Sequence, residues 1–142
     1  MADVAAAKET RAQKAERLKR DKNPWDAIEE IRSFARNGRA SIPEEWNLYF
    51  KWWGIYSQGD GAGVTGGRGG EGKATDYFMM RVGVPNGILA IDQARVLADI
   101  ARRYGRNLAD ITVRQNIQFH WLTIESFPAI MEALDRVGLS PK

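Results

Sequence analysis

The chain has 142 residues, no cysteine and a formal net charge of +3. That length accommodates about one domain with a modest core, and the lack of cysteine excludes disulfides, thiolate zinc sites and any iron–sulfur cluster ligated from within this sequence. The charge excess lies wholly in residues 1–22, with seven Lys/Arg against four Asp/Glu, whereas the remainder is balanced at fourteen of each; a neutral body with a basic arm is weaker evidence for a nucleic-acid partner than a basic face would be.

No apolar run approaches the roughly 20 residues that span a bilayer, and the amino terminus lacks the apolar centre of a secretion signal. A cytoplasmic setting without membrane association is therefore expected. Residues 4–21 are rich in helix formers but offer little to bury, which predicts a solvated leader helix. Asn23-Pro24 is positioned to open a second helix, with Asn23 as its cap and Pro24 in the first turn. Trp25, Ile28, Ile31 and Ala35 form its apolar face, and Asn37-Gly38 ends it. Ser41 to Glu45 is expected to start another short helix leading into WNLYFKWWGIY, whose clustered aromatic residues suit packing against a larger body better than ligand stacking.

Eight of the fourteen residues from Gly59 to Gly72 are glycine. Gly61, Gly63 and Gly66 match G-x-G-x-x-G, and Gly67, Gly72 and Lys73 match G-x-x-x-x-G-K. Both patterns cradle phosphate only between a strand and a following helix. Here Tyr77 to Val84 alternates as a strand and ends at Pro85-Asn86-Gly87, and Ala74 stands where the second pattern needs Ser or Thr. Neither pattern is a phosphate cradle; the segment reads as a loop.

From Ile91 the period becomes helical through Val96, Leu97, Ile100, Ala101 and Tyr104, with Gly105 closing the helix. Ile111 to Trp121 alternates strictly, placing Ile111, Val113, Ile117, Phe119 and Trp121 on one face. Phe127, Ile130, Met131, Leu134 and Val137 mark a last helix, stopped by Gly138. The order strand, helix, strand, helix predicts two parallel strands joined by a right-handed crossover, with the helices on one face. The other face of the second strand then carries Thr112, Arg114, Asn116, Gln118 and His120, all hydrogen-bond donors without an acidic partner, and Arg81 shares the open side of the sheet. Such a face suits a large anion, while a pairing of Arg81 with Asp76 or Glu125 and a structural role for His120 remain open alternatives.

FMMRVGVPNG, DITVRQNIQFHW and the closing DRVGLS, with FKWWGIYSQGD upstream, resemble the ferredoxin-like half-domain of sirohaem-containing nitrite and sulfite reductases of the ferredoxin-dependent, assimilatory type. The resemblance covers roughly residues 45–141. It implies an α+β fold, a β-α-β-α half-domain over residues 77–142, preceded by a basic helical leader (1–22), a helical and aromatic approach segment (23–58) and a Gly-rich loop (59–76).

The implied activity is reduction of nitrite to ammonia or of sulfite to sulfide, with electrons from ferredoxin passing through a 4Fe–4S cluster to sirohaem. Arg81 corresponds to the arginine that faces the substrate anion. Arg114 corresponds to one that binds the sirohaem carboxylates, and Asn116, His120 and Gln115 match positions lining the same pocket, although strict alternation places Gln115 on the opposite face. The carboxylate arms of sirohaem give a physical reason for a face made of donors. The family's cluster cysteines and substrate-binding lysines would follow Lys142, so the sequence is expected to be the amino-terminal part of the reductase, inactive alone, without metal ligands of its own, and completed by the missing carboxy-terminal domains. A non-catalytic pairing module is the alternative. An RNA-binding module fits less well, because the RNP signature is absent and the open face is polar.

Overall fold

The structure, a computed structural model, describes residues 9–59 and 74–141, with residues 74 and 75 by backbone alone. The leader forms helix α1 (Arg11–Asp21). Its start is fixed by a capping box, in which the Gln13 amide donates to Thr10 Oγ1 at 3.3 Å and the Thr10 amide donates to Gln13 Oε1 at 2.8 Å. Its carboxy-terminal half is anchored, unlike a purely solvated leader: Leu18 is buried, the Tyr49 hydroxyl donates to its carbonyl at 2.9 Å, and the Lys19 ammonium lies 5.7 Å from the Trp52 ring.

Helix α2 (Ile28–Asn37) begins later than Asn23-Pro24 suggests. The Asn23 side chain accepts the Trp25 amide and its carbonyl accepts the Asp26 amide, both at 3.1 Å; this local turn consumes the groups that would have capped a helix. Trp25 consequently lies outside the helix and half-exposed, while Ile31 and Phe34 form the buried face. The expected stop at Gly38 holds, with φ at +82°. Ser41 closes a 3-10 turn (Arg39–Ser41), and the aromatic helix α3 starts only at Trp46 (Trp46–Trp52).

The aromatic segment is core, as its composition suggests. Phe50 is almost fully enclosed, and its ring lies 5.8 Å from Trp46, 5.6 Å from Phe78, 6.3 Å from Phe127 and 6.4 Å from Phe34, mostly edge to face. One residue therefore joins α2, α3, the sheet and the last helix.

After Gly54, at φ +65°, the chain enters strand β1 (Ile55–Gly59), which pairs antiparallel with β2 (Ala74–Val82). The sequence signal for β1 was present in the alternation of Ile55, Tyr56, Ser57 and Gln58 between glycines. The Gly-rich stretch connects these two strands, and residues 60–73 lie outside the described part. On β2 the alternation is as expected: Phe78, Met80 and Val82 are fully buried, leaving Tyr77, Met79 and Arg81 on the opposite face. Helix α4 (Ile91–Tyr104) follows the Pro85–Gly87 turn, and helix α5 (Phe127–Asp135) packs beside it and against α2.

The expectation of one long strand from Ile111 to Trp121, parallel to β2, is corrected. The chain forms a short β3 (Asp110–Ile111), reverses through residues 112–116, and returns as β4 (Ile117–Leu122), which pairs antiparallel with both β3 and β2. The sheet order is β1-β2-β4-β3. The crossover through α4 does make β3 run parallel to β2, but β4 is inserted between them, giving a split β-α-β arrangement. The apolar alternation of Ile111 and Val113 imitates a continuous strand, yet they are 83% and 103% exposed; Val113 does not point into the core. The reversal is made by the Gln115 amide donating to the Thr112 carbonyl at 2.8 Å, with Gln115 itself at φ +61°.

Truncating the hub ring should be among the most damaging single changes. Phe50→Ala is expected to lower the unfolding free energy by about 3–5 kcal/mol, measured by urea denaturation.

Candidate functional site on the open face of the sheet

Helices cover the Phe78, Met80 and Val82 side of the sheet. The opposite side is built from β1, β2 and β4, and its composition follows from a register break. Phe78 pairs with Leu122 and Met80 with Phe119, so Met79 stands opposite two residues of β4, His120 and Trp121. This β-bulge lets Phe119 and Leu122 both reach the core although they are three positions apart, and Trp121 sits at φ +57° within it. Trp121 is thereby displaced from the core position that simple alternation assigns it, and its ring lies 5.7 Å from that of His120.

Arg81 is half-buried, with its Nη2 donating to the Tyr56 hydroxyl at 3.2 Å and its guanidinium 5.5 Å from the Tyr56 ring. The described ion pairs give it neither Asp76 nor Glu125 as partner. Gln118 is its register neighbour on β4. His120 Nε2 lies 3.2 Å from Asp110 Oδ2, a contact that becomes an ion pair when the imidazole is protonated. Gln58 reaches across from β1 to accept the Trp121 amide at 2.9 Å, tying the bulge to the edge strand. At the far end, the Arg106 guanidinium lies 5.1 Å from the Tyr77 ring and 4.9 Å from the Trp121 ring.

The structure thus brings Arg81, Gln118 and His120 onto one face, but separates the other sequence-derived candidates from it. Arg114 is exposed on the reversal between β3 and β4, not in a strand. Gln115 turns toward Gly87, where an added Cβ would meet its Oε1 at 3.0 Å. Asn116 holds the reversal against β2, its Oδ1 accepting the Val84 amide at 3.3 Å and its own amide donating to Thr112 Oγ1 at 3.2 Å. Tyr56, Gln58, Trp121 and Arg106 are additions to the sequence-derived set. Periodicity could not single out Arg106, because it lies in a loop; the strand alternation around Tyr56 could have placed that residue.

The chemistry of this face is predominantly that of a donor surface. Its carboxylate near the strands, Asp110, is engaged by His120, and among the described residues no buried side-chain polar atom lacks a partner. The donor set fits a flat polyanion such as sirohaem. It does not fit a 4Fe–4S cluster, since the sequence has no cysteine; among the described residues no cluster of acidic or histidine side chains could hold a metal ion either.

A split β-α-β sheet with helices on one side and donors on the other defines a ferredoxin-like half-domain. Residues 71–137 match the family described as Nitrite/Sulfite reductase ferredoxin-like half domain, and the chain belongs to that family. It is similar to a sulfite reductase (ferredoxin) of Mycobacterium tuberculosis, at 39% identity over 87% of this chain and 23% of the relative. An assimilatory ferredoxin-dependent nitrite reductase of Haloferax mediterranei is 35% identical over 92% of this chain and 23% of its own length. The structure of the Mycobacterium tuberculosis NirA protein superposes with a TM-score of 0.81 at 37% identity, over 90% of this chain and 24% of that one. The chain therefore spans about a quarter of the length of the relatives it matches.

The bonds of Asn116 give its role a direct test. Asn116→Ala should leave the Val84 amide without its acceptor and destabilise the fold by about 1–3 kcal/mol, with faster hydrogen exchange at Val84 and Asn116 in the absence of any ligand.

Proposed function

We propose that this chain is the part of a ferredoxin-dependent nitrite or sulfite reductase that presents one side of the sirohaem and substrate pocket. The observation that carries this reading is Arg81, held half-buried by the Tyr56 hydroxyl on a donor-lined face. Residues 77–142 act as the half-domain proper, and the approach segment, residues 23–58, contributes both the Phe50 hub and strand β1 with its Tyr56. The basic leader, residues 1–22, precedes this unit, and the Gly-rich loop, residues 59–76, joins its two parts. The reductase works in the cytoplasm, with ferredoxin as electron donor and cluster ligands supplied by the remainder of the same enzyme.

Sirohaem, when bound, supplies the iron centre at which nitrite or sulfite is reduced. Arg81 neutralises the substrate anion through a guanidinium that cannot lose its proton at working pH and whose orientation Tyr56 limits. Arg114, on the exposed reversal, binds a carboxylate arm with its planar fork. His120 donates to the same ligand while Asp110 steadies its ring, and Gln115 and Asn116 act chiefly by holding the reversal in the position from which Arg114 reaches.

These assignments separate in the assembled reductase. Arg81→Ala should reduce turnover by at least about a hundredfold, the scale of losing one preorganised anion-stabilising donor, while sirohaem content read from the visible spectrum stays near normal. Arg114→Ala should lower sirohaem occupancy, by the loss of one charge-assisted bond of about 1.5–3 kcal/mol. Parallel loss of cofactor and activity in Arg81→Ala, or full occupancy in Arg114→Ala, would refute the corresponding assignment.

A further inference from the structure

Arg106 is unused by the reading above, yet its placement is highly determined. It follows Gly105 at the end of α4 in a left-handed conformation, φ +53°, and Asn107 is also left-handed at φ +68°. Consecutive non-glycine residues in that region are costly unless the surroundings enforce them. Here the Asn107 amide donates to the Ala101 carbonyl at 2.9 Å and the Leu108 amide to the Gly105 carbonyl at 3.0 Å, fixing the loop. The result carries a side chain from the helical layer to the sheet's open face, where its guanidinium lies within reach of the faces of Tyr77 and Trp121. Trp121 is available there because of the β4 bulge.

Among the described residues no carboxylate pairs with Arg106. Stacking on aromatic rings occupies the plane of a guanidinium and leaves its N–H edge open to a bidentate acceptor. Tyr77 and Arg81 are four positions apart on β2, about 13 Å at the rise of an extended strand, with Met79 between them on the same face. The open face thus has a cation at each end and a flexible apolar floor between.

We infer that Arg106 is a second anion anchor of this face, which binds a rim carboxylate of a flat polycarboxylate lying across Met79, at the end opposite Arg81. The inference rests on the reading that this face receives sirohaem, and adds a residue and a place for one of its carboxylates. Arg106 is a binding residue, and Tyr77 and Trp121 are the positioning residues that hold it.

The test titrates the 142-residue chain with uroporphyrin III, a metal-free octacarboxylate, and follows the indole N–H resonance of Trp121, assigned with Trp121→Phe. The resonance should shift on binding. Arg106→Gln should raise Kd at least about tenfold, the scale of one charge-assisted bidentate contact, while circular dichroism and the melting temperature show an intact fold. Arg106→Lys, which keeps the charge but not the planar fork, should fall between the two, and Arg95→Gln on the outer side of α4 should leave Kd within about twofold, because a screened surface charge contributes little. An unchanged Kd in Arg106→Gln, or equal weakening by Arg106→Gln and Arg95→Gln, would overturn the anchor while leaving the sirohaem reading intact. Absence of porphyrin binding by the unsubstituted chain would count against the underlying reading and the anchor together.

Discussion

The single extra residue in β4 opposite Met79 sets the character of both faces of the sheet. Below it, Phe119 and Leu122 are both delivered to the core, where an unbroken strand would have alternated one of them outward. Above it, His120 and Trp121 emerge side by side. The aromatic platform and the imidazole, with its Asp110 partner, come from the same local irregularity. The left-handed conformation of Trp121 is a strain that the rest of the sheet must hold in place, and Gln58 does so from the edge strand by accepting its amide.

The helical layer supplies the rigidity that such a bulge requires. Phe50, Phe78 and Phe127 meet between α3, β2 and α5, so the strand carrying Arg81 is backed at Phe78 by a cluster of rings. Arg39 reinforces the same strand from the side, its guanidinium 4.3 Å from the Phe78 ring and donating to Ser57 at 3.3 Å; burial pushes its pKa down from the ordinary arginine value. With one face fixed so firmly, the side chains on the other face can be held in place by few contacts of their own.

Much of this architecture was legible in the residues. The period-two pattern of Phe78, Met80 and Val82 placed Arg81 on the open face, the helical periods gave α4 and α5, and Gly38 and Gly105 ended helices where expected, whereas α5 stops at Asp135, three residues before Gly138. Two features were hidden for physical reasons. The β3–β4 reversal is made by side-chain and backbone bonds of Thr112, Gln115 and Asn116, without the glycine or proline that announces a turn, while Ile111 and Val113 keep the apolar rhythm of a strand. The bulge leaves no compositional trace, because its left-handed position is occupied by tryptophan. In consequence Arg114 and Asn116, which alternation put on a strand face with His120, belong to the reversal, and Arg106 emerges only once the bulge is known.

Gly54 brings three distant parts of the chain to one point. A Cβ there would meet the Pro141 carbonyl oxygen at 2.4 Å and that of Arg81 at 2.9 Å, and its own carbonyl accepts the Arg81 amide at 2.8 Å. Nearby, Gly83 and Ser140 are bridged as well. Gly54 is thus wedged between the backbone of Arg81 and the segment that follows α5, with no room for a side chain in the gap. That junction ties the backbone that carries the Arg81 guanidinium to a part of the molecule far from it in sequence.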